Sequence, residues 1–125
     1  MSKQGFRKLV VWQNAYKLRR LIYGISKDFS KSEMRRVSQM RDAARSVKQN
    51  VQEGYSRRSI GEYIHFLEIA KGSLGELSGD VDDCFDDGLI TEDEFHKLDK
   101  LIGKTDYLFM RLIQGLRKKQ NLDNP

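Results

Sequence analysis

Apolar residues recur at helical spacing from near the start of this chain to near its end, and the chain holds a single proline. That pattern points to an all-α fold. Val11, Ala15, Leu18, Ile22, Ile25 and Phe29 step by fours and threes, which lines them along one side of a helix expected over residues 9–27. Val37, Met40, Ala44, Val47 and Val51 form the seam of a second helix, over residues 32–55. A third is expected over 60–85. A fourth, over 92–118, has the seam Phe95, Leu98, Ile102, Thr105, Leu108 and Leu112.

Three of these helices share one start signal. Ser30-Lys31-Ser32-Glu33, Ser59-Ile60-Gly61-Glu62 and Thr91-Glu92-Asp93-Glu94 all read S/T-x-x-E. In such a box the hydroxyl accepts the N3 amide and the glutamate returns to the cap amide. The connections are only a few residues long, so consecutive helices are expected to be antiparallel neighbours. The fold class is therefore an all-α, up-down-up-down four-helix bundle. At 125 residues the chain is one ordinary domain, able to bury a core without disulfides. Residues 1–119 are expected to form that domain, with 120–125 a flexible C-terminal tail.

The third helix carries more apolar surface than one core stripe uses. Ile60, Tyr63, Ile64, Phe66, Leu67, Ile69 and Ala70, with later members of the row, cover more than half of its circumference. Gly61, Gly72, Gly75 and Gly79 gather on the opposite side. An interior helical glycine costs roughly 1 kcal/mol relative to alanine, so several on one face point to close approach by another backbone. Tyr63, Phe66, Ile69, Gly72, Gly75 and Gly79 are thus the expected oligomer interface. The competing reading is a plain solvated face.

Charge divides the chain in two. Residues 1–58 hold 15 Lys/Arg against 4 Asp/Glu, whereas residues 59–125 hold 8 against 14, within a net charge of +5. Such asymmetry suits a polyanionic partner or charge-guided assembly. Arg41, Arg45 and Lys48 share a face of the second helix at i, i+4 and i+7. Arg35 and Arg36 precede them, Arg57 and Arg58 follow at the next turn, and Arg19 and Arg20 lie on the first helix. Guanidinium groups donate paired hydrogen bonds to phosphate and keep their charge. These nine residues form the candidate nucleic-acid site, with backbone contacts and strong salt dependence expected. The competing reading is intersubunit or interhelix ion pairing with the acids of the third and fourth helices.

Little else points to chemistry. His65 and His96 are the only histidines and Cys84 the only thiol, so no metal cluster or nucleophilic triad can be assembled. No catalytic residue, metal site or cofactor is expected, and the chain is read as a non-enzyme. Residues 83–94 follow calcium-loop spacing in part, but Phe85 stands where an oxygen ligand belongs. Gly88 as a helix stop and Thr91-x-x-Glu94 as a cap account for the same residues. Asn50, Glu53, Gly54, Ser59 and Glu62 read as a structural motif, with Gly54 supplying a left-handed helix end. Trp12 and Tyr16 have the ring faces to stack on bases, although helical aromatics more often pack. No run of about 18 apolar residues exists, so no membrane partner is expected. With no signal-peptide core at the N-terminus, a cytoplasmic protein is expected.

Several segments together carry a family resemblance. They are Phe6-x-x-Leu9-x-Val11-Trp12-Gln13-x-Ala15, Gln39-x-Arg41-x-Ala43-Ala44-x-Ser46, Asn50-Val51-x-Glu53-Gly54 with Arg57-Arg58-Ser59, and Glu62-x-x-x-Phe66-Leu67-x-Ile69-Ala70-x-Gly72-Ser73-x-x-Glu76-Leu77. The chain resembles the bacterial four-helix-bundle proteins encoded within intervening sequences of 23S ribosomal RNA genes. Lys48 departs from the family, whose members often have proline there. The resemblance implies a ring-like homo-oligomer, with a pentamer favoured. The family is also similar to an accessory protein of diversity-generating retroelements, a basic pentameric barrel that binds nucleic acid and a reverse transcriptase. The reading that follows is a non-catalytic protein that associates with RNA or DNA backbone and scaffolds a partner enzyme. The alternative is a protein–protein interaction scaffold with no nucleic-acid binding.

Overall fold

The computed structural model describes residues 5–123. Four helices account for most of them: α1 (Val10–Ser26), α2 (Met34–Tyr55), α3 (Ile60–Asp86) and α4 (Glu92–Asp123). Short 3-10 turns, Gly5–Lys8 and Lys31–Glu33, lead into α1 and α2. α1 packs on α2 and α4, and α3 packs on the same two, while the backbones of the diagonal pairs stay apart. Cross-helix partners run in opposite sequence senses. Trp12 meets Gln52 and Ser26 meets Arg41 across α1 and α2. Ser73 meets Ser46 and Cys84 meets Met40 across α2 and α3. Glu68 meets Arg117 and Phe85 meets Phe95 across α3 and α4.

The four apolar seams meet in one core. Leu18, Ile22, Val47, Val51, Leu67, Leu74, Leu77, Leu98 and Phe109 are buried there. Each such side chain contributes about 1.5–3 kcal/mol by leaving water. Two hydroxyls join them at no loss of pairing: Ser26 Oγ donates to Ile22 O and Thr105 Oγ1 to Leu101 O, both at 2.6 Å.

The fourth seam differs from its expected course. Phe109 and Ile113 are buried, whereas Leu108 and Leu112 only flank the core. At about 100° per residue, the buried Leu98, Ile102, Phe109 and Ile113 all lie to one side of Thr105, whereas Leu108 and Leu112 lie to the other. α4 also continues through Asp123, so residues 120–123, expected in a tail, are its last turn. Residues 124 and 125 lie outside the described residues.

One of the three expected start boxes forms in full and a second by its hydroxyl half. Thr91 Oγ1 accepts the Glu94 amide at 3.1 Å, and Glu94 Oε1 accepts the Thr91 amide at 2.9 Å. Ser59 Oγ accepts the Glu62 amide at 3.1 Å. Ser30 caps nothing; its hydroxyl bonds to that of Ser32 at 2.7 Å and a 3-10 turn intervenes before α2. At the other end of α3, Gly88 has φ +74°, Leu89 N–H donates to Cys84 O and Gly88 N–H to Phe85 O. That paired closure satisfies two carbonyls that the helix end leaves open and turns the chain into α4.

Candidate nucleic-acid interface

The basic residues sort into three groups once the helices are packed. The first gathers on the α1–α2 face. Arg7 reaches it from the leading 3-10 turn, Arg19 from α1, and Arg45 and Lys48 from α2. Burial lowers the pKa of the Lys48 ammonium, and the charges of Arg19, Arg45 and Arg7 lower it further. Its Nζ donates only to neutral acceptors, Gln52 Oε1 at 3.0 Å and Gln49 Oε1 at 3.2 Å. Gln52 Oε1 also accepts from Trp12 Nε1 at 3.0 Å, which fixes the indole beside the cluster. Among the described residues, no carboxylate pairs with Arg7, Arg19, Arg20, Arg45 or Lys48. Lys48 thus feels three like charges and has no carboxylate partner among the described residues, and a bound anion would relieve that repulsion.

Aromatic rings interleave with these cations. Trp12 and Tyr16 stack at 5.3 Å between centroids with planes 13° apart. The Arg20 guanidinium lies 5.9 Å from the Tyr16 ring centre, and Arg7 lies 5.9 Å from that of Trp12. Arg19 and Arg41 both stand 4.5 Å from the Tyr23 ring.

The second group serves architecture. Arg41 donates to Ser26 Oγ at 3.1 Å and to Tyr23 O at 3.4 Å, which places a cation against the negative end of α1. Arg36 bridges Glu33 at 3.0 Å and Asp87 at 2.7 Å, and the Asp87 bond holds its proton more tightly than usual. Arg57 pairs with Glu53 at 3.5 Å and covers the Phe66 ring at 4.7 Å. Within one chain, pairing with the acids at the end of α3 therefore accounts for Arg36 and not for the α1–α2 cluster. Arg35 and Arg58 are exposed. Arg35 stands about 120° round α2 from Arg41, away from the cluster.

The third group was not anticipated from sequence. Lys97, Lys100 and Lys104 of α4 face Lys17 of α1 across a groove of about 320 Å³ floored by Leu21 and Leu101. Their i, i+3, i+7 spacing is legible, but it points anywhere until α1 is known to lie beside α4. A shallow hollow of about 470 Å³, lined by Tyr16, Lys17, Arg20 and Leu21, adjoins this groove. The basic surface thus runs from α2 over the crest of α1 to α4.

The face expected for oligomerisation divides. Ile69 is 40% exposed, and Gly72, Gly75 and Gly79 have open space around them. Tyr63 instead turns inward, edge-on to Tyr55 at 6.1 Å. Burial raises its hydroxyl to about 12, with Tyr55 adding to the shift. Phe66 is half-buried beneath Arg57. Gly54 does not take the left-handed geometry expected of it; Gly88 alone does so among the described residues. Gly54 is needed because α3 crosses there: a Cβ would lie 2.9 Å from Phe66 Cβ. Asn50 Nδ2 donates to Ser46 O at 2.8 Å and to Ser46 Oγ at 3.0 Å, and Ser46 Oγ meets Ser73 Oγ at 2.7 Å. This polar chain binds α2 to α3.

The acidic side of the molecule lies on that same α2–α3 face. Asp42, Glu76 and Asp80 border a hollow of about 570 Å³ with Gln39, Ser46 and Ser73. Burial pushes the Asp80 carboxyl up, and the nearby Asp83 and Glu76 push it further. Cys84 is buried in the core with its thiol 3.5 Å from Met40 Sδ, and burial raises its pKa. Among the described residues, no helix is long and apolar enough to cross a membrane.

Residues 7–109, which hold α1 to α3 and the first half of α4, match the family model described as 23S rRNA-intervening sequence protein. The chain belongs to that family. A crystal structure of a protein with unknown function from the S23 ribosomal protein family of Bacteroides thetaiotaomicron superposes with a TM-score of 0.78. The identity is 17%, over 84% of this chain and 96% of that one, so the likeness speaks to the fold alone. No curated protein matches this family member.

Proposed function

We propose that this protein is a non-catalytic, cytoplasmic nucleic-acid-associated bundle that holds phosphodiester backbone on its α2–α1–α4 face. The observation that carries the reading is that Lys48 donates only to the neutral Gln49 and Gln52, with no carboxylate partner among the described residues, while Arg19, Arg45 and Arg7 act on it as like charges. Three acids of the α3–α4 half pair with other cations, in Asp87–Arg36, Glu68–Arg117 and Asp106–Lys71. The helices form an up-down-up-down antiparallel bundle that self-associates as a ring, favouring a pentamer. Ring assembly repeats the basic face several times, which helps weak sites and offers a platform for a partner enzyme.

A second reading, a protein scaffold without nucleic acid, draws on one observation. The acidic α2–α3 hollow and the α1–α4 lysine groove lie on opposite sides of the bundle, where one copy's acids would meet the next copy's lysines. The double variant Arg45→Glu/Lys48→Glu separates the two, and it spares Arg41, which holds α1 to α2. Binding to RNA and to duplex DNA is measured at low and moderate salt, with oligomer mass measured in parallel. Loss of binding with the oligomer intact supports the nucleic-acid reading. An intact parent protein that binds neither at low salt removes it.

A further inference from the structure

The basic face has a feature that phosphate contacts alone do not use. Tyr16 is the outer ring of the Trp12–Tyr16 stack, 39% exposed, whereas Trp12 is half-buried and anchored by Gln52. Tyr16 borders the hollow of about 470 Å³ together with Arg20, whose guanidinium stands over its ring. A phosphate needs no ring. A base does: its π-face stacks on an aromatic side chain, and an arginine adds a planar cation at the same site.

The charges are placed on both sides of this hollow. On one side Arg19, of the same helix, stands over the Tyr23 ring and acts on Lys48. In the other direction, Lys17 and Leu21 line both the hollow and the groove of Lys97, Lys100 and Lys104. The track crosses two interhelix spacings of about 8–10 Å each. A duplex keeps its bases stacked inside and offers only backbone to such a surface. A single strand can turn a base out while its neighbouring phosphates stay on the cations.

We propose that this face takes single-stranded nucleic acid, with an unstacked base held against Tyr16 and Arg20. The flanking phosphates rest on the Arg19–Arg45–Lys48 cluster and on the Lys17–Lys104 groove. The inference rests on the nucleic-acid reading above and narrows its ligand from any backbone to a strand with accessible bases.

The test uses the whole 125-residue chain with three labelled probes of equal length: an oligothymidylate, the same strand with abasic sites, and a blunt duplex. Fluorescence anisotropy gives affinities, and the emission of Trp12, the chain's single tryptophan, is followed during titration. The oligothymidylate should bind about tenfold or more tighter than the other two, as expected for one stacked base, and should quench Trp12. In Tyr16→Ala that preference should collapse, while Tyr16→Phe, which keeps the ring, should retain it. Equal binding of all three probes, or a preference that survives in Tyr16→Ala, overturns the inference and leaves the backbone reading standing. No binding of any probe at low salt overturns both.

Discussion

Replacing Gly54 by alanine tests the α2–α3 crossing on which the rest of the bundle depends. The added methyl would stand 2.9 Å from Phe66 Cβ, 3.0 Å from Tyr63 Cδ1 and 3.2 Å from Tyr63 O. A Cβ and a carbonyl oxygen cannot rotate aside, because both are fixed to the α3 backbone. The helices must therefore move apart, and the surrounding contacts weaken. Overpacking of this kind costs about 1–3 kcal/mol. Alanine gains about 1 kcal/mol of helix propensity in a helix interior and less near the end, where Gly54 sits. The net loss should be about 1–2 kcal/mol, or a fall in Tm of about 4–8 °C for a domain of this size. Gly72→Ala and Gly75→Ala are the controls, since both positions face open space and sit in mid-helix. Each should gain up to about 1 kcal/mol if its face is solvated. Thermal unfolding followed by far-UV circular dichroism, at one protein concentration, reads all three. A Gly54→Ala variant as stable as the parent refutes the steric argument. A loss at Gly72 or Gly75 that accompanies a smaller oligomer returns those glycines to a subunit interface.

Three further expectations follow from the packing. Thr91→Ala should cost about 1 kcal/mol in chemical denaturation because it breaks a reciprocal cap, whereas Ser30→Ala should change stability by only a few tenths of that because Ser30 caps no amide. Phe109→Ala should cost about 3–5 kcal/mol, as its ring is fully enclosed, and equilibrium denaturation that shows under 1 kcal/mol would place it outside the core. Tyr63 keeps its proton in the folded chain to about pH 12 against 10.0 in the unfolded chain. Stability should therefore fall as pH rises from 10 to about 12. Its buried hydroxyl has no hydrogen-bond partner, so Tyr63→Phe should remove that fall and leave stability at pH 7 equal or higher; unchanged alkaline behaviour in the variant would refute the assignment.

The fold was legible because its signals are local. Apolar spacing and the Ser59 and Thr91 caps place helix starts within a residue or two of where they occur. The failures arise where a neighbour decides. Ser30 carries the same four-residue signature as Thr91, but its hydroxyl is taken by Ser32. Gly54 reads as a helix stop, yet its reason is the ring and backbone of α3 crossing it. The site divides in the same way. Arg45, Lys48 and Arg19 could be nominated from one helix face each, whereas Arg41 and Arg36 were withdrawn by partners 15 and 51 residues away. Lys97, Lys100 and Lys104 sit in the half of the chain that is acidic by composition. Only the adjacency of α1 and α4 turns them into part of a basic face.

Cys84 gives the molecule a clock. The residue is 1% exposed and lines a small apolar cavity with Ile90 and Val81, where α3 ends. An alkylating reagent has no path to it in the closed state. Modification must wait until that end of the bundle opens, and its rate then reports the opening free energy of that end alone. The Trp12 indole sits at the other end of α1, beside Gln52. One native thiol and one native tryptophan therefore report on opposite ends of the same bundle. A ligand on the basic face that tightens the whole structure slows the first while altering the second, and one that acts only locally leaves the thiol's rate as it was.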